Sequence, residues 1–289
     1  MLKILSNSSS PAGSSPKQIA DSSPVWEKDI KTFSPWHKDK QGKYFVSESL
    51  KSTTSVTVVE NCCSVLDLAT EIKLKKWDSL LAVSQKRGRG RRSSYWHSPP
   101  GNIYAALRLP ALAGGWENIV SLFCGYCLNF SLKKKGWSTT IKWPNDILLA
   151  NQKIAGILVE KKKNRLTAGI GINIINSPSP QELSGSNFFP PGQLSQEKFE
   201  APGPLTVWYY LVKNFEKLYH ELVENGTVRG FLSLLQPQLA FYNQPVRIIR
   251  KESGNPETAV FTGITREGFA RFIINGSEVT LREAKILPA

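Results

Sequence analysis

The chain has 289 residues, 40% hydrophobic and 21% charged, a balance that sustains a buried core and excludes a disordered or disulfide-stapled protein. No apolar run approaches the roughly 20 residues of a membrane-spanning helix, and residues 1–10 are too polar for a secretory signal, whose apolar stretch runs about 7–15 residues, so a cytoplasmic protein is expected. The formal charge of +14 would suggest nucleic acid, but residues 73–165 hold 18 basic and 4 acidic residues, so the whole excess sits in one segment.

Residues 1–50 are rich in serine, proline and lysine, carry Trp26 and Trp36, and show little periodicity, so they are expected to form an N-terminal extension, a tail or a cap. They offer no pair of apolar-periodic segments joined by a short turn, the pattern of a helix-turn-helix. Structured texture begins at Val56. Val56 to Val59 reads as a strand, Ser64 to Lys75 as a helix with Ser64 near its N-cap, and Ser79 to Ser84 as a strand. A Gly/Arg/Ser loop follows from Gln85 to Gly101. Asn102 to Leu109 alternates like a strand, Glu117 to Lys134 is helical, and Thr139 to Trp143 is a strand ended by Pro144. Ile147 to Leu149, Lys153 to Glu160 and Thr167 to Ile175 read as consecutive antiparallel strands. Leu205 to Val223 has helical spacing, and Val228 to Leu239 is a further helix interrupted by Pro237. Short strands close the chain: Val246 to Ile249, Ala259 to Thr262, Ala270 to Ile274 and Glu278 to Thr280. The expected organisation is therefore an extension over 1–50, a catalytic domain over 51–240 and a small β-barrel domain over 241–289. Lys133 to Lys135 and Lys161 to Lys163 read as solvated turns. Cys124 and Cys127 lie in an apolar helix without a second ligand pair at metal spacing, and read as core thiols.

Three segments carry chemistry. In the first, Gln85-Lys86-Arg87-Gly88-Arg89-Gly90-Arg91-Arg92, glycines let the backbone approach a ligand and alternating guanidinium forks suit carboxylate or phosphate oxygens. Alone, it reads equally as a basic loop or an RNA-binding arm. The second is Lys142-Trp143-Pro144-Asn145-Asp146, where proline stops a strand and presents an amide and a carboxylate suited to a nucleotide and Mg²⁺. Alone, it is a simple Asn-Asp turn. The third begins an apolar strand with Lys153, whose ammonium calls for an anionic partner such as a ligand. Gly156, Gly169 and Gly171 there leave room for a bound ring against the backbone.

In this order and spacing the segments resemble the biotin protein ligase family, in which a Gly-Arg-Gly-Arg loop, a Lys-Trp-Pro-Asn-Asp segment, a Lys-x-Ala-Gly-Ile-Leu strand and a Gly-x-Gly-x-Asn strand follow one another. The resemblance runs from about Ser64 to Ile175. It implies an α+β fold: a mixed β-sheet catalytic domain flanked by helices, similar to class II aminoacyl-tRNA synthetases and biotin ligases, with a C-terminal SH3-like β-barrel. It also implies a two-step reaction, in which the biotin carboxylate attacks the α-phosphorus of ATP and the biotinyl-5′-AMP then passes its acyl group to a lysine of a biotin carboxyl carrier protein, with Mg²⁺ as the ATP counter-ion. Carried over residue by residue, Lys153, Arg89 and Arg91 are the catalytic cations. Ser64, Val65, Leu66, Gln85, Gly88, Gly90 and Gly156, together with those three, match the biotin-site positions. Arg91, Arg92, Trp96, Lys142, Asn145 and Asn173 match the nucleotide side, and Asp146 the metal residue.

The chain departs from the family where Val65 and Leu66 stand in place of a hydroxyl residue and an often-present asparagine, which predicts weaker biotin binding by about 0.5–1.5 kcal/mol for the lost hydrogen bond. Ser93 and Ser94 replace a glycine and a basic residue. The alternatives are a lipoate or octanoate ligase or transferase of related fold, which lacks the arginine loop and the Lys-Trp-Pro-Asn-Asp segment, and a non-catalytic biotin or nucleic-acid binder. Neither nucleic acid nor membrane is expected as a partner, and the enzyme is expected to be a monomer or homodimer.

Overall fold

The computed structural model describes residues 1–6, 12–49, 54–179, 189–195, 201–250 and 254–289, with backbone alone at Ser93. In chain order the elements are β1 (Leu2–Leu5), α1 (Pro16–Ala20), α2 (Pro24–Thr32), β2 (Trp36–Lys38), β3 (Tyr44–Ser47), β4 (Val56–Cys62), α3 (Val65–Glu71), β5 (Ser79–Gln85) and β6 (Ile103–Leu109). There follow α4 (Val120–Lys134), β7 (Thr139–Lys142), β8 (Asp146–Leu149), β9 (Gln152–Lys162), β10 (Arg165–Ile172), α5 (Pro204–Leu218) and α6 (Val228–Leu235). The chain ends with β11 (Gln244–Arg250), β12 (Pro256–Ile264), β13 (Ala270–Ile274), β14 (Ser277–Leu281) and β15 (Ala284–Pro288). Two compact units result, one of Met1–Ala111 with Asn151–Lys213 and the other of Leu112–Ala150 with Asn214–Ala289. This division differs from the expected boundaries at 51 and 241, because residues 112–150 group with the C-terminal part and residues 1–49 with the main sheet.

In the first unit the strands run β2-β3-β1-β4-β5-β6-β10-β9. β1 and β5 both lie parallel to β4, while the other pairings are antiparallel. The sheet is therefore mixed, as expected. The described part of the segment expected as a tail or a cap packs into the main sheet: β1 sits between β3 and β4, and Leu2, Ile4, Ile19 and Trp26 are fully buried. Two short helices also occur there. Ser15 accepts from the Gln18 backbone N–H in a capping box that starts α1, with Pro16 at its first position, and the Ser23 side chain caps α2. The four residues of β1, three of them apolar, and the buried face of α2 are too short to register as periodicity, so the segment looks featureless in sequence.

The buried Asp29 on α2 accepts hydrogen bonds from the backbone N–H of Leu205 (2.7 Å) and Thr206 (3.2 Å) and from the Thr206 hydroxyl. It thereby satisfies the first turn of α5 from another element. The indole N–H of Trp208 donates to the Ser79 hydroxyl at 2.9 Å, fixing α5 against β5.

In the second unit Trp116, Phe123 and Phe231 form an aromatic cluster around α4 and α6. Cys124 and Cys127 are buried in α4, and burial pushes the Cys124 thiol up to about 12. β7 and β8 form a hairpin, and the Trp143 indole N–H donates to the Gly268 carbonyl at 2.9 Å. The C-terminal strands make an antiparallel sheet in the order β14-β13-β12-β11-β15, with Phe261 and Phe272 inside. It is an open sheet with β14 and β15 at its edges, not the closed SH3-like barrel expected. The sequence reading stops at Thr280 and misses β15, a five-residue strand whose last residue is Pro288.

Candidate active site

The arginine loop is a small hairpin. Its entry is tied to the end of β4 by Lys86 N–H to the Cys62 carbonyl (2.9 Å) and Arg87 N–H to the Cys63 carbonyl (2.8 Å). Trp96 N–H then donates to the Gly88 carbonyl, Gly90 N–H donates to the Ser94 carbonyl, and Arg89 pairs with Tyr95. A Cβ on Gly88 would stand 2.3 Å from the Trp96 carbonyl oxygen, so only glycine allows this closure. Arg92 turns the tip in the left-handed region, at φ 52°. Arg91 and Arg92 are exposed there, as is Ser94, while Ser93's side chain lies outside the described residues.

The hairpin delivers Trp96 onto the sheet. Gly156 of β9 and Gly171 of β10 are register partners, and a Cβ on either would meet the Trp96 ring, at 2.8 Å and 2.5 Å. A Cβ on Gly169 would meet Leu66 Cδ1 at 2.8 Å. The sequence assigned these glycines to a bound ring. In the structure the protein's own indole and leucine lie there. The Trp96 indole N–H is buried without a hydrogen-bond partner among the described residues, so a polar ligand beside it would meet a ready donor. The Lys153 ammonium at the head of β9 lies 5.3 Å from the Trp96 ring centroid, within cation–π range.

The N-terminus of α3 forms the next wall. Ser64 is its N-cap residue but its side chain makes no capping bond. Instead the Gln85 side-chain oxygen accepts from Val65 N–H at 2.9 Å, and the Gln85 amide nitrogen donates to the Ser98 hydroxyl at 3.0 Å. Gln85, assigned to biotin by resemblance, therefore caps a helix here. Val65 and Leu66 are buried and complete an apolar wall. Arg89 also differs from its expected substrate clamp. Its guanidinium bonds Asp67 at 3.0 Å and Glu160 at 2.8 Å, and its Nε reaches the Ser64 hydroxyl at 3.4 Å. Lys162 joins the same carboxylates, 3.4 Å from Glu160 and 3.7 Å from Asp67. Asn173 is buried, and its amide donates to the Gly192 carbonyl at 2.9 Å, so it braces the segment after β10.

Ser64, Val65, Leu66, Gln85, Gly88 to Arg92, Trp96, Lys153, Gly156 and Asn173 all belong to the first unit. Lys142, Asn145 and Asp146 belong to the second, where Lys142 and Asp146 pair at 3.4 Å with their side chains 17% and 14% exposed. The sequence reading missed Asp67, Glu160 and Lys162, the partners of the arginine hairpin. It also missed Asn102, whose side-chain oxygen accepts from the backbone of Ile174, Ile175 and Asn176 and so sets the end of β10. Gly101 before it, at φ 99°, was the available signal.

The family model of the biotin/lipoate A/B protein ligases matches residues 68–175. The bifunctional ligase/repressor BirA of Escherichia coli (strain K12) is 30% identical over 233 residues, covering 74% of this chain and 69% of the relative. The chain belongs to the biotin/lipoate A/B protein ligase family. A further member, the biotin–[acetyl-CoA-carboxylase] ligase of Paracoccus denitrificans, is 34% identical over 122 residues, covering 39% of this chain and 50% of that relative. Among solved structures, the biotin protein ligase of Aquifex aeolicus in complex with biotin and ATP superposes with a TM-score of 0.68 at 18% identity. The match covers 81% of this chain and 99% of that one, and it shows that the ligase family's fold is shared.

Proposed function

We propose that this protein is a biotin protein ligase, activating biotin with ATP to biotinyl-5′-AMP and passing the biotinyl group to a lysine of a carrier protein. The observation that carries the reading is the Lys153 ammonium 5.3 Å from the centroid of the Trp96 ring, which itself lies over the glycine pair Gly156 and Gly171. Relatives named biotin ligases, and neighbours of the same fold solved with biotin and ATP or with biotinyl-5′-AMP, support the choice of acid and nucleotide.

A carboxylate and a phosphate brought to about 4 Å repel by about 4 kcal/mol at an effective dielectric near 20, roughly a thousandfold in rate. Lys153 offsets that repulsion by standing between the two anions. Arg91 closes over the adenylate and keeps water from the mixed anhydride. The acceptor lysine amine then attacks the biotinyl carbonyl of the mixed anhydride, forming the amide as AMP leaves and the amine loses a proton, and the expected acceptor is the biotin carboxyl carrier protein or domain of a carboxylase.

Lys142, Asn145 and Asp146 are assigned to ATP and Mg²⁺ on their motif. Asp146 supplies one carboxylate and the described residues hold no cluster of three or more metal-ligating His, Cys, Asp or Glu side chains. That donor set suits an ion carried in mainly by nucleotide phosphates. Bound there, Mg²⁺ would neutralise phosphate charge. Trp96 serves the nucleotide side by the same resemblance. ATP as co-substrate and four free thiols fit a cytoplasmic enzyme. No helix among the described residues is long and apolar enough to cross a membrane.

The test is pyrophosphate release from MgATP with biotin, lipoate or octanoate as the acid, followed by transfer of labelled biotin to a carrier domain. Biotin is expected to drive both steps. Release driven by lipoate or octanoate alone would move the protein to the other branch of its family.

A further inference from the structure

The arginine hairpin is fastened to the sheet by contacts that the reaction scheme does not use. On β9, Gly156, Leu158 and Glu160 share one face at strand spacing. Trp96 lies at Gly156, and Glu160 lies two residues beyond Leu158. Arg89 reaches along this face to Glu160, meeting both carboxylate oxygens (2.8 Å from Nη1 and 3.3 Å from Nη2), the two-point geometry that a guanidinium fork favours. Asp67, in the first turn of α3, takes Nη2 at 3.0 Å, and Lys162 balances the second carboxylate charge. With its η nitrogens engaged by two carboxylates, Arg89 has little donor capacity left for a substrate anion. Its position fixes Gly88 and Gly90, which flank it, and through the Gly88 carbonyl it fixes Trp96.

We propose that Glu160 and Asp67 are positioning residues that anchor the hairpin through Arg89, so that Arg89 sets the place of the loop and Arg91 at its tip meets the substrate. The inference rests on the ligase reading for its kinetic consequences, but not for the anchoring itself. Glu160 is the stronger partner, since its side chain is 20% exposed against 48% for Asp67, and solvent screens the second pair more.

Two measurements test it on the full chain. Trypsin cuts after arginine, and Arg87, Arg89, Arg91 and Arg92 all lie in the hairpin. Glu160→Gln should speed cleavage between residues 87 and 92 by about three- to tenfold, the range for losing a partly exposed charged pair with good geometry, with the melting temperature unchanged. Steady-state pyrophosphate release should show the KM for biotin rising by a similar three- to tenfold, roughly, with kcat changed less than about twofold. Glu160→Asp should restore part of the loss, and Asp67→Asn should give the same changes in smaller measure. In an Arg89→Gln background, Glu160→Gln should have no further effect, because the pair it acts through is gone.

Unchanged cleavage in Glu160→Gln would overturn the proposal, as would a lowered melting temperature with KM and cleavage unaltered, which marks a merely structural residue. The cleavage measurement needs no substrate. If the unmodified enzyme released no pyrophosphate with biotin, the proposed function would fail while cleavage still decided whether Arg89 is anchored.

Discussion

Asp29 and Glu160 each join two elements of the first unit, and they do it by different means. Asp29 is fully buried and accepts from two backbone N–H groups and a hydroxyl at the start of α5. Burial pushes its carboxyl up to about 6, against the pull of those hydrogen bonds. Glu160 is partly exposed and bonds two cationic side chains, Arg89 and Lys162. Removing the buried acceptor leaves backbone donors stranded, a cost that nothing nearby can absorb. An ion pair at the edge of solvent exchanges partners readily and is worth little on its own. The first arrangement suits a permanent joint and the second a loop held in place by contacts that solvent weakens. Stability and chemistry in this unit should therefore be separable by mutation.

Lys153→Ala tests the chemical side with the largest expected effect. Pyrophosphate release should fall about a thousandfold, equivalent to roughly 4 kcal/mol, while the denaturation midpoint stays put. A rate equal to that of the unmodified enzyme would remove Lys153 from the reaction. Asp29→Ala tests the other side. It should cost roughly 3–4 kcal/mol of stability through the lost cap and the unpaired Leu205 and Thr206 donors, with kcat per folded molecule unchanged. A denaturant titration reads it, and a loss of activity at constant stability would break the comparison.

The pH dependence follows from the same carboxyl. Its folded-state value of about 6 lies above the ordinary 3.8, so the protonated form is favoured in the folded protein. Its contribution to stability is fully present below about pH 4, declines as pH rises through about 6, and is flat beyond, a step on the order of 2–3 kcal/mol. The difference in unfolding free energy between the unmodified chain and Asp29→Asn, followed from pH 4 to 7, isolates this step. A difference that does not change with pH would mean that Asp29 titrates like an exposed aspartate.

Much of the main sheet was legible because its strands carry dense apolar runs, and β4 to β6 and β9 to β10 fall within a few residues of the sequence reading. The N-terminal strands were not legible: Leu2–Leu5 is four residues long, and its place between β3 and β4 depends on long-range pairing that no local pattern encodes. At the site, the arginine hairpin and Lys153 stood out because glycine alternating with charge, and a lysine heading an apolar strand, are rare patterns. The partners of the hairpin did not. Asp67 in a helix and Glu160 at the end of a strand look like ordinary solvated charges until the fold brings them to Arg89. The glycines were recognised as making space for a ring, but that Trp96 of the chain itself lies against two of them was not legible, because a sequence shows that space is needed without showing which ring approaches it.

Gly171→Ala has the smallest expected effect and addresses that occupant directly. The new methyl would stand 2.5–2.7 Å from Cε2, Nε1 and Cζ2 of Trp96, closer than any real contact, so the indole must shift. It is held by the hairpin backbone and by packing, and its buried N–H has no hydrogen bond to lose among the described residues. The cost should therefore stay near the low end for overpacking, about 1–2 kcal/mol, seen as a lowered denaturation midpoint. The displaced ring would also leave the Lys153 ammonium, so the KM for ATP or biotin should change together with stability, making this the one position where the two sides of the comparison meet. Gly169→Ala is the control: the nearest neighbours of its methyl are Cδ1, Cγ and Cδ2 of Leu66, not the indole, and it should perturb binding less. Equal behaviour of the two variants would mean that the indole does not occupy the space above Gly171.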